Sequence, residues 1–115
     1  MQDKRRISIF GSTGSIGKNA LQVVRNLSDE LEITVLATGS NIDLLERQAR
    51  EFSPKLLAVF DKQKAVELQK RIPSIPVLGG IEGLIEASSY PDVDVVLSAI
   101  SGSIGIAPTV AAIRA

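Results

Sequence analysis

Short apolar runs alternate with amphipathic stretches along the whole chain. The runs are rich in β-branched and other apolar residues, as in strands covered on both faces, and they span 7–10, 33–37, 56–60, 76–78 and 93–99. Between them, apolar residues recur at helical spacing and predict helices over 16–27, 44–52, 65–72 and 81–85, with a last helix from 108. The run at 93–99 is the strongest strand signal, whereas 76–78 and 81–85 are weak. This alternation predicts one α/β domain with a doubly wound parallel sheet of the Rossmann type.

The helical spacing also predicts which side of each helix is buried. On the first helix the buried positions are Ile16, Ala20, Val23, Val24 and Leu27. On the second helix they are Leu44, Leu45, Gln48, Ala49 and Phe52. Pro54 and Pro73 mark the ends of the second and third helices, because an interior proline would remove a helical hydrogen bond.

A glycine-rich turn joins the first strand to the first helix and reads Gly11-Ser12-Thr13-Gly14-Ser15-Ile16-Gly17. A tight turn, close approach of a diphosphate and close packing of helix on strand each require a residue without Cβ, and Gly11, Gly14 and Gly17 meet these three needs. We expect the amides of residues 13–16 to face the diphosphate at the positive end of the helix dipole. No Gly-Lys-Ser/Thr follows, so a Walker site is not predicted. The alternative is a glycine-rich turn without a ligand.

The end of the second strand bears on which dinucleotide would bind. An NAD site usually has an acid there for the ribose 2′-hydroxyl, but this chain reads Gly39-Ser40-Asn41 and has no acid before Asp43. Without a carboxylate to repel a 2′-phosphate, and with Ser40 and Asn41 as hydrogen-bond donors, the sequence favours NADP(H) over NAD(H). The alternative is that Asn41 caps the helix that begins near Ile42, and both roles are compatible.

A third small-residue segment, Ser98–Gly105, lies at the carboxyl end of the last strand. Its Gly102–Gly105 repeats the Gly-Ser-Ile-Gly of residues 14–17. Small residues there permit close approach of a flat group such as nicotinamide. Chance similarity between two strand-to-helix turns is the alternative.

Composition narrows the possible chemistry. The chain of 115 residues has no His and no Cys, which excludes imidazole bases, thiolate nucleophiles and metal sites built on those ligands. Its 13 Lys and Arg balance 13 Asp and Glu, so no nucleic-acid partner is expected. No apolar run approaches the ~18 residues of a membrane span, and we expect no membrane partner and a cytoplasmic location. The last residues stop inside an apparent helix without a cap, so we expect 1–115 to be one domain truncated from a longer enzyme.

These segments together resemble the amino-terminal NADPH-binding domain of the 1-deoxy-D-xylulose 5-phosphate reductoisomerase family. The resemblance rests on Gly11–Gly17, Gly39-x-Asn41, Phe52-Ser53-Pro54, and the run Ala99-Ile100-x-Gly102-x-x-Gly105-Ile106-x-Pro108-Thr109-x-x-Ala112-Ile113. The markers extend over nearly the whole chain in the same order. The last run is more specific than the glycine turn, which several dehydrogenases share.

The resemblance implies an NADP-dependent oxidoreductase of the non-mevalonate isoprenoid route. It isomerises and reduces 1-deoxy-D-xylulose 5-phosphate to 2-C-methyl-D-erythritol 4-phosphate, with NADPH and a divalent metal (Mg or Mn). It implies that Thr13, Gly14, Ser15 and Ile16 hold the diphosphate, that Gly39, Ser40 and Asn41 meet the adenosine ribose and its 2′-phosphate, and that Ala99 and Ile100 lie beside the nicotinamide half. It also implies a homodimer for the full-length enzyme, in the bacterial cytoplasm or, in a plant, the plastid stroma.

Two departures from the family pattern matter. Position 40 is often basic in the family, and here it is Ser40. The Ala-Asn-Lys-Glu segment, the metal-binding carboxylates, the substrate residues and the lid that follow in the family are absent from the 115 residues, so we expect the fragment itself to be inactive. The alternatives are the cofactor domain of a semialdehyde or acyl-phosphate reductase, and a non-catalytic NAD(P)-sensing module.

Overall fold

Five strands and four helices alternate in the computed structural model, which describes residues 4–99 of the chain. The strands are β1 (Arg5–Phe10), β2 (Leu31–Thr38), β3 (Leu56–Val59), β4 (Val77–Gly79) and β5 (Val95–Ser98). The helices are α1 (Ser15–Asn26), α2 (Ile42–Phe52), α3 (Lys62–Arg71) and α4 (Gly80–Ser88). The helix predicted from Pro108 lies outside the described residues. None of the four helices is both long and apolar enough to span a bilayer.

All strand pairs are parallel, and the order across the sheet is β4-β3-β2-β1-β5. Side chains of α1, α2 and α3 join the core on one face, including Leu21, Leu45 and Leu68. Leu84 and Ala87 of α4 pack on the other face. Helices on both faces of a parallel sheet confirm the predicted doubly wound α/β fold, and β1 lies where the order reverses direction.

The pairing of β1 with β2 contains one irregularity. Ile7 pairs with Ile33 but Ser8 pairs with Val35, so Thr34 is an extra residue in β2. Its carbonyl accepts a hydrogen bond from the Lys55 amide at 2.8 Å. Because of the extra residue, Ile33 and Leu36 face the same side of the sheet although they are three positions apart, and both belong to the same core cluster.

The buried side of α1 differs from the prediction. Ile16, Val23 and Leu27 are 71%, 52% and 42% exposed. The residues that face the sheet are Gly17, Leu21 and Val24. A Cβ at Gly17 would lie 2.2 Å from the Gly11 carbonyl oxygen, so the glycine side of α1 is the side that packs closely on the turn after β1. The pattern of apolar residues does not predict this buried side, because glycine allows close packing without adding apolar surface.

The last strand is also shorter than predicted. The sequence signal covers 93–99, whereas β5 comprises Val95–Ser98 and lies at the sheet edge, with Leu97 and Ser98 exposed. Asp94 lies just before the strand. Its amide donates to the Arg6 carbonyl at 2.8 Å, and its carboxylate, rather than a backbone carbonyl, accepts from the Arg6 amide at 2.8 Å.

Candidate functional site

Three segments that the sequence singles out meet at the carboxyl edge of the sheet. The glycine turn follows β1, Gly39–Asn41 follow β2, and Ala99 follows β5. Since β1 is hydrogen-bonded to both β2 and β5, the turn lies between the other two segments. Ligands of doubly wound sheets bind at the carboxyl ends of the strands where the strand order reverses. Ile100, the remaining predicted position, lies outside the described residues.

The three glycines of the turn have different structural roles. Gly11 has φ 87°, a left-handed conformation that disfavours side chains, and its amide donates to the Ala37 carbonyl at 2.8 Å. Gly17 lets α1 approach the turn, as described above. Gly14 has φ −84°, and a Cβ there would lie 3.6 Å from the Gly11 carbonyl oxygen, an ordinary contact. The fold itself therefore needs glycine at 11 and 17 but not at 14.

The start of α1 has free hydrogen-bonding capacity. Its N-cap Gly14 has no side chain to offer, its first turn contains no acid, and its first intrahelical bond is the Lys18 amide to the Gly14 carbonyl at 2.9 Å. The amides of Ser15 and Ile16 precede that bond and have no intrahelical acceptor. Both residues are exposed. These donors and the helix dipole suit an anion.

The Gly14 amide differs from what we expected, because it donates to the Gly11 carbonyl at 3.1 Å and closes the turn. Thr13 is half-buried, and its hydroxyl forms a 2.7 Å hydrogen bond with the hydroxyl of Thr38 at the end of β2. The Thr13 side chain is therefore engaged within the protein, and Gly14 contributes open space rather than a donor.

Ser12 anchors the turn to the protein interior and is fully buried. Its hydroxyl donates to Gln48 Oε1 at 2.8 Å, its carbonyl accepts from Gln48 Nε2 at 2.9 Å, and its amide donates to the Ala37 carbonyl at 3.1 Å. Sequence reasoning did not assign Gln48 or Thr38 to the site. A polar residue within the apolar side of α2 was the available signal for Gln48.

The segment after β2 is exposed and open. A Cβ at Gly39 would meet no atom within 4 Å, and Gly39 and Ser40 are both exposed. Asn41 caps α2, since its Oδ1 accepts from the Leu44 amide at 3.2 Å. The capping alternative is therefore confirmed, and it leaves the two Nδ2 hydrogens of Asn41 available to an anion.

The nearest acid after this segment is directed toward another helix. The Asp43 carboxylate accepts from Arg71 Nη1 at 2.6 Å, and this hydrogen bond lowers the pKa of Asp43. The Arg71 charge offsets the Asp43 charge at the start of α2. An anion near Asn41 therefore meets less repulsion than the sequence alone suggests.

Two other features separate this edge from the rest of the described structure. A cleft of about 800 Å³, lined by Lys4, Arg6, Phe52, Lys55 and Tyr90 among others, lies at the opposite, amino edge of the sheet. None of the predicted site residues within 4–99 lines it. Within residues 4–99, no group of three or more acids is placed to hold a metal ion.

Comparison with known proteins agrees with this geometry. The sequence profile of the family described as 1-deoxy-D-xylulose 5-phosphate reductoisomerase matches residues 7–115. A protein of that name from Protochlamydia amoebophila is 52% identical over 111 residues, and one from Lachnoclostridium phytofermentans is 50% identical over 109. These matches cover 96% and 93% of this chain but 29% and 28% of the relatives, so the chain spans under a third of their length.

Solved structures give the same result. The 1-deoxy-D-xylulose 5-phosphate reductoisomerase from Zymomonas mobilis in complex with NADPH has a TM-score of 0.92 at 28% identity, covering 99% of this chain and 30% of that one. A DOX-P reductoisomerase in complex with magnesium has a TM-score of 0.90 at 32% identity, covering 96% and 28%. The glycine turn alone also allowed the cofactor domain of a semialdehyde or acyl-phosphate reductase. The family match favours the reductoisomerase over that alternative. Since the profile covers nearly all of its length, this chain belongs to the 1-deoxy-D-xylulose 5-phosphate reductoisomerase family.

Proposed function

We propose that residues 1–115 form the NADPH-binding domain of a longer reductoisomerase. The whole enzyme would isomerise and reduce 1-deoxy-D-xylulose 5-phosphate to 2-C-methyl-D-erythritol 4-phosphate, with NADPH as hydride donor. The observation that carries the proposal is the uncapped start of α1 behind a glycine turn at the sheet's carboxyl edge. The Zymomonas mobilis relative, which shares this fold, is in complex with NADPH.

The residues of the turn fit a diphosphate. The amides of Thr13, Ser15 and Ile16 would donate to its oxygens, and Gly14 would leave the space that it occupies. Gly11 shapes the turn through its left-handed φ, and Gly17 allows α1 to approach the turn closely. The free amides of the first helical turn would gain the acceptors that they lack in the helix.

The segment after β2 fits the adenosine ribose and a 2′-phosphate. Gly39 has open space beside it, and Ser40 and the Nδ2 of Asn41 offer donors. Each hydrogen bond to a charged phosphate is worth about 1.5–3 kcal/mol, or roughly 10- to 100-fold in affinity. Ser40 replaces a residue that is often basic in the family, so Asn41 would carry much of the preference for NADPH. Ala99 and Ile100 would lie beside the nicotinamide half.

The rest of the enzyme would supply the metal and the substrate site. Related structures contain magnesium, whereas residues 4–99 offer no cluster of acids for a metal. We therefore expect the divalent cation, Mg²⁺ or Mn²⁺, to bind residues outside this chain, and the 115 residues alone to be inactive. The bacterial relatives support a cytoplasmic enzyme, and the family resemblance supports a homodimer.

Calorimetric titration of the intact protein that carries this sequence tests the cofactor assignment. NADPH should bind at least tenfold more tightly than NADH. Gly14→Val should abolish NADPH binding, because its side chain would occupy the diphosphate position, and Val23→Ala on the exposed side of α1 should not change it. Equal affinities for the two cofactors would contradict the 2′-phosphate assignment, and unchanged binding by the Gly14 variant would contradict the diphosphate position.

An activity assay tests the reaction. The intact protein should consume NADPH only when 1-deoxy-D-xylulose 5-phosphate and Mg²⁺ or Mn²⁺ are both present. The 115-residue chain should show no turnover under the same conditions. Turnover by the short chain would show that the catalytic groups lie within it.

A further inference from the structure

Gln48 is a buried polar residue in an apolar environment. It is 6% exposed on α2, next to the core residues Leu45 and Ala49. Burying an amide costs free energy unless both its ends find partners. Both ends do, and both partners belong to Ser12, which is 36 residues away in the sequence.

The chemistry of the two partners fixes the orientation of the Gln48 amide. The Ser12 carbonyl oxygen can only accept, so Nε2 must face it, at 2.9 Å. Oε1 then faces the Ser12 hydroxyl, which donates to it at 2.8 Å. The side chain therefore binds one residue of the turn through both its donor and its acceptor.

The bond to the Ser12 carbonyl also determines where the next amide points. The carbonyl of Ser12 and the N–H of Thr13 belong to one planar, trans peptide unit, in which the C=O and N–H point in opposite directions. Gln48 holds the carbonyl toward α2 and the protein interior. The Thr13 N–H is thereby directed away from Gln48 and α2.

We propose that Gln48 is a positioning residue for cofactor binding, which orients the Thr13 amide toward the diphosphate of NADPH. This inference rests on the proposed function, since it names a residue that acts on the same site. Gln48 is buried and Ser12 engages both of its polar atoms, so it would act on the cofactor through Ser12. Its contribution is to hold the peptide unit in the binding orientation before the cofactor arrives.

The test compares two substitutions on α2 in the intact protein. Gln48→Met keeps a similar unbranched shape and removes both hydrogen bonds. Leu45→Met is the control, because Leu45 is fully buried on the same helix and has no polar contact with the turn. The two ligands are NADPH and adenosine 2′-monophosphate, which keeps the 2′-phosphate but lacks the diphosphate.

Gln48→Met should weaken NADPH binding about tenfold and change binding of adenosine 2′-monophosphate less than about twofold. Leu45→Met should change neither. Ser12→Ala removes the hydroxyl but keeps the carbonyl, so it should preserve NADPH affinity within about threefold. If Gln48→Met does not fold, Gln48→Asn tests the same bond, because its amide is one methylene too short to reach the Ser12 carbonyl.

Unchanged NADPH affinity in the Gln48 variant would overturn the inference. So would an equal loss for both ligands, which indicates a general structural role. If the unsubstituted protein binds adenosine 2′-monophosphate but not NADPH, the proposed diphosphate site fails first and the inference fails with it. If the unsubstituted protein binds NADPH and the Gln48 variant binds it with the same affinity, the positioning role is refuted and the proposed function stands.

Discussion

Two glycines in the turn should respond in opposite ways to the same substitution. Gly17→Ala should destabilise the fold, whereas Gly14→Ala should leave stability nearly unchanged and weaken NADPH binding. The reason is the space beside each residue. At Gly17 a Cβ would lie 2.2 Å from the Gly11 carbonyl oxygen and 2.5 Å from the Ser12 Cα, while at Gly14 the nearest such atom is at 3.6 Å.

The size of the Gly17 effect follows from two opposing contributions. Atoms at 2.2 Å and 2.5 Å must separate by more than about 1 Å, and because both belong to the backbone, the turn or the start of α1 must move. Overpacking of this kind costs about 1–3 kcal/mol or more. Replacing glycine by alanine in a helix returns about 1 kcal/mol of helix propensity. Since the clash involves backbone atoms, we place the net loss in the free energy of unfolding at about 2 kcal/mol.

The Gly14 effect should be near zero for stability. Its φ of −84° suits any L-residue, so alanine introduces no backbone strain. The loss of unfolded-state entropy stabilises by about 0.4–1 kcal/mol, and alanine as N-cap costs a similar amount relative to glycine. The methyl group would instead narrow the space proposed for the diphosphate.

Urea unfolding and NADPH titration of the same two variants measure both effects. The expected result is a loss of stability with Gly17→Ala and a loss of affinity without a loss of stability with Gly14→Ala. Equal stability of the Gly17 variant and the unsubstituted protein would refute the close approach of α1 to the turn. A Gly14 variant that binds NADPH normally would show that the cofactor does not pass over this residue.

Two further predictions concern charged groups. Asn41→Asp should keep the α2 cap, since an Asp oxygen can also accept from the Leu44 amide. The new negative charge should reduce the ratio of NADPH affinity to NADH affinity at least tenfold in paired titrations. An unchanged ratio would contradict a 2′-phosphate near Asn41. Glu51 accepts two hydrogen bonds from Arg25, and these bonds lower the pKa of Glu51. The ion pair therefore contributes its full stability above the unfolded-state carboxyl pKa of about 4.3. That stability is lost as the pH falls through the lower folded-state pKa. Urea unfolding at low salt, between about pH 3 and pH 6, should show a small difference in stability between Glu51→Gln and the unsubstituted protein. This difference should disappear at the acid end of the range. A difference that does not depend on pH would contradict the ion-pair explanation.

The alternation of strands and helices could be predicted from the sequence because each apolar run is short and each helix has a periodic apolar side. The extra residue Thr34 could not be predicted. Ile33 through Ala37 form a nearly continuous apolar run, which contains no alternation from which a change of register could be detected. Pairing with β1 sets the register, and that is a contact between distant parts of the chain.

The local geometry of the candidate site was predictable to a similar depth. Gly11, Gly14 and Gly17 could be assigned from spacing, because a strand before them and a helix after them limit the possible geometry. The difference between Gly14, whose Cβ would fit, and Gly17, whose Cβ would not, requires the packing of α1 on the turn. The partner of Gln48 likewise depends on how α2 is placed beside the turn, and no local pattern contains that information.

The two halves of the proposed cofactor site differ in how rigidly they are held. This difference suggests that one half supplies the affinity for either cofactor and the other the preference for NADPH. In the turn, Ser12 and Thr13 are bonded to Gln48 and Thr38, so the conformation that presents the free amides is fixed by folding and costs little further entropy on binding. Ser40 is an exposed side chain, and it must lose rotational freedom to bind a phosphate. Asn41 is already held by its cap and can donate without that cost. The turn should therefore supply most of the affinity for either cofactor, and Asn41 most of the preference for NADPH.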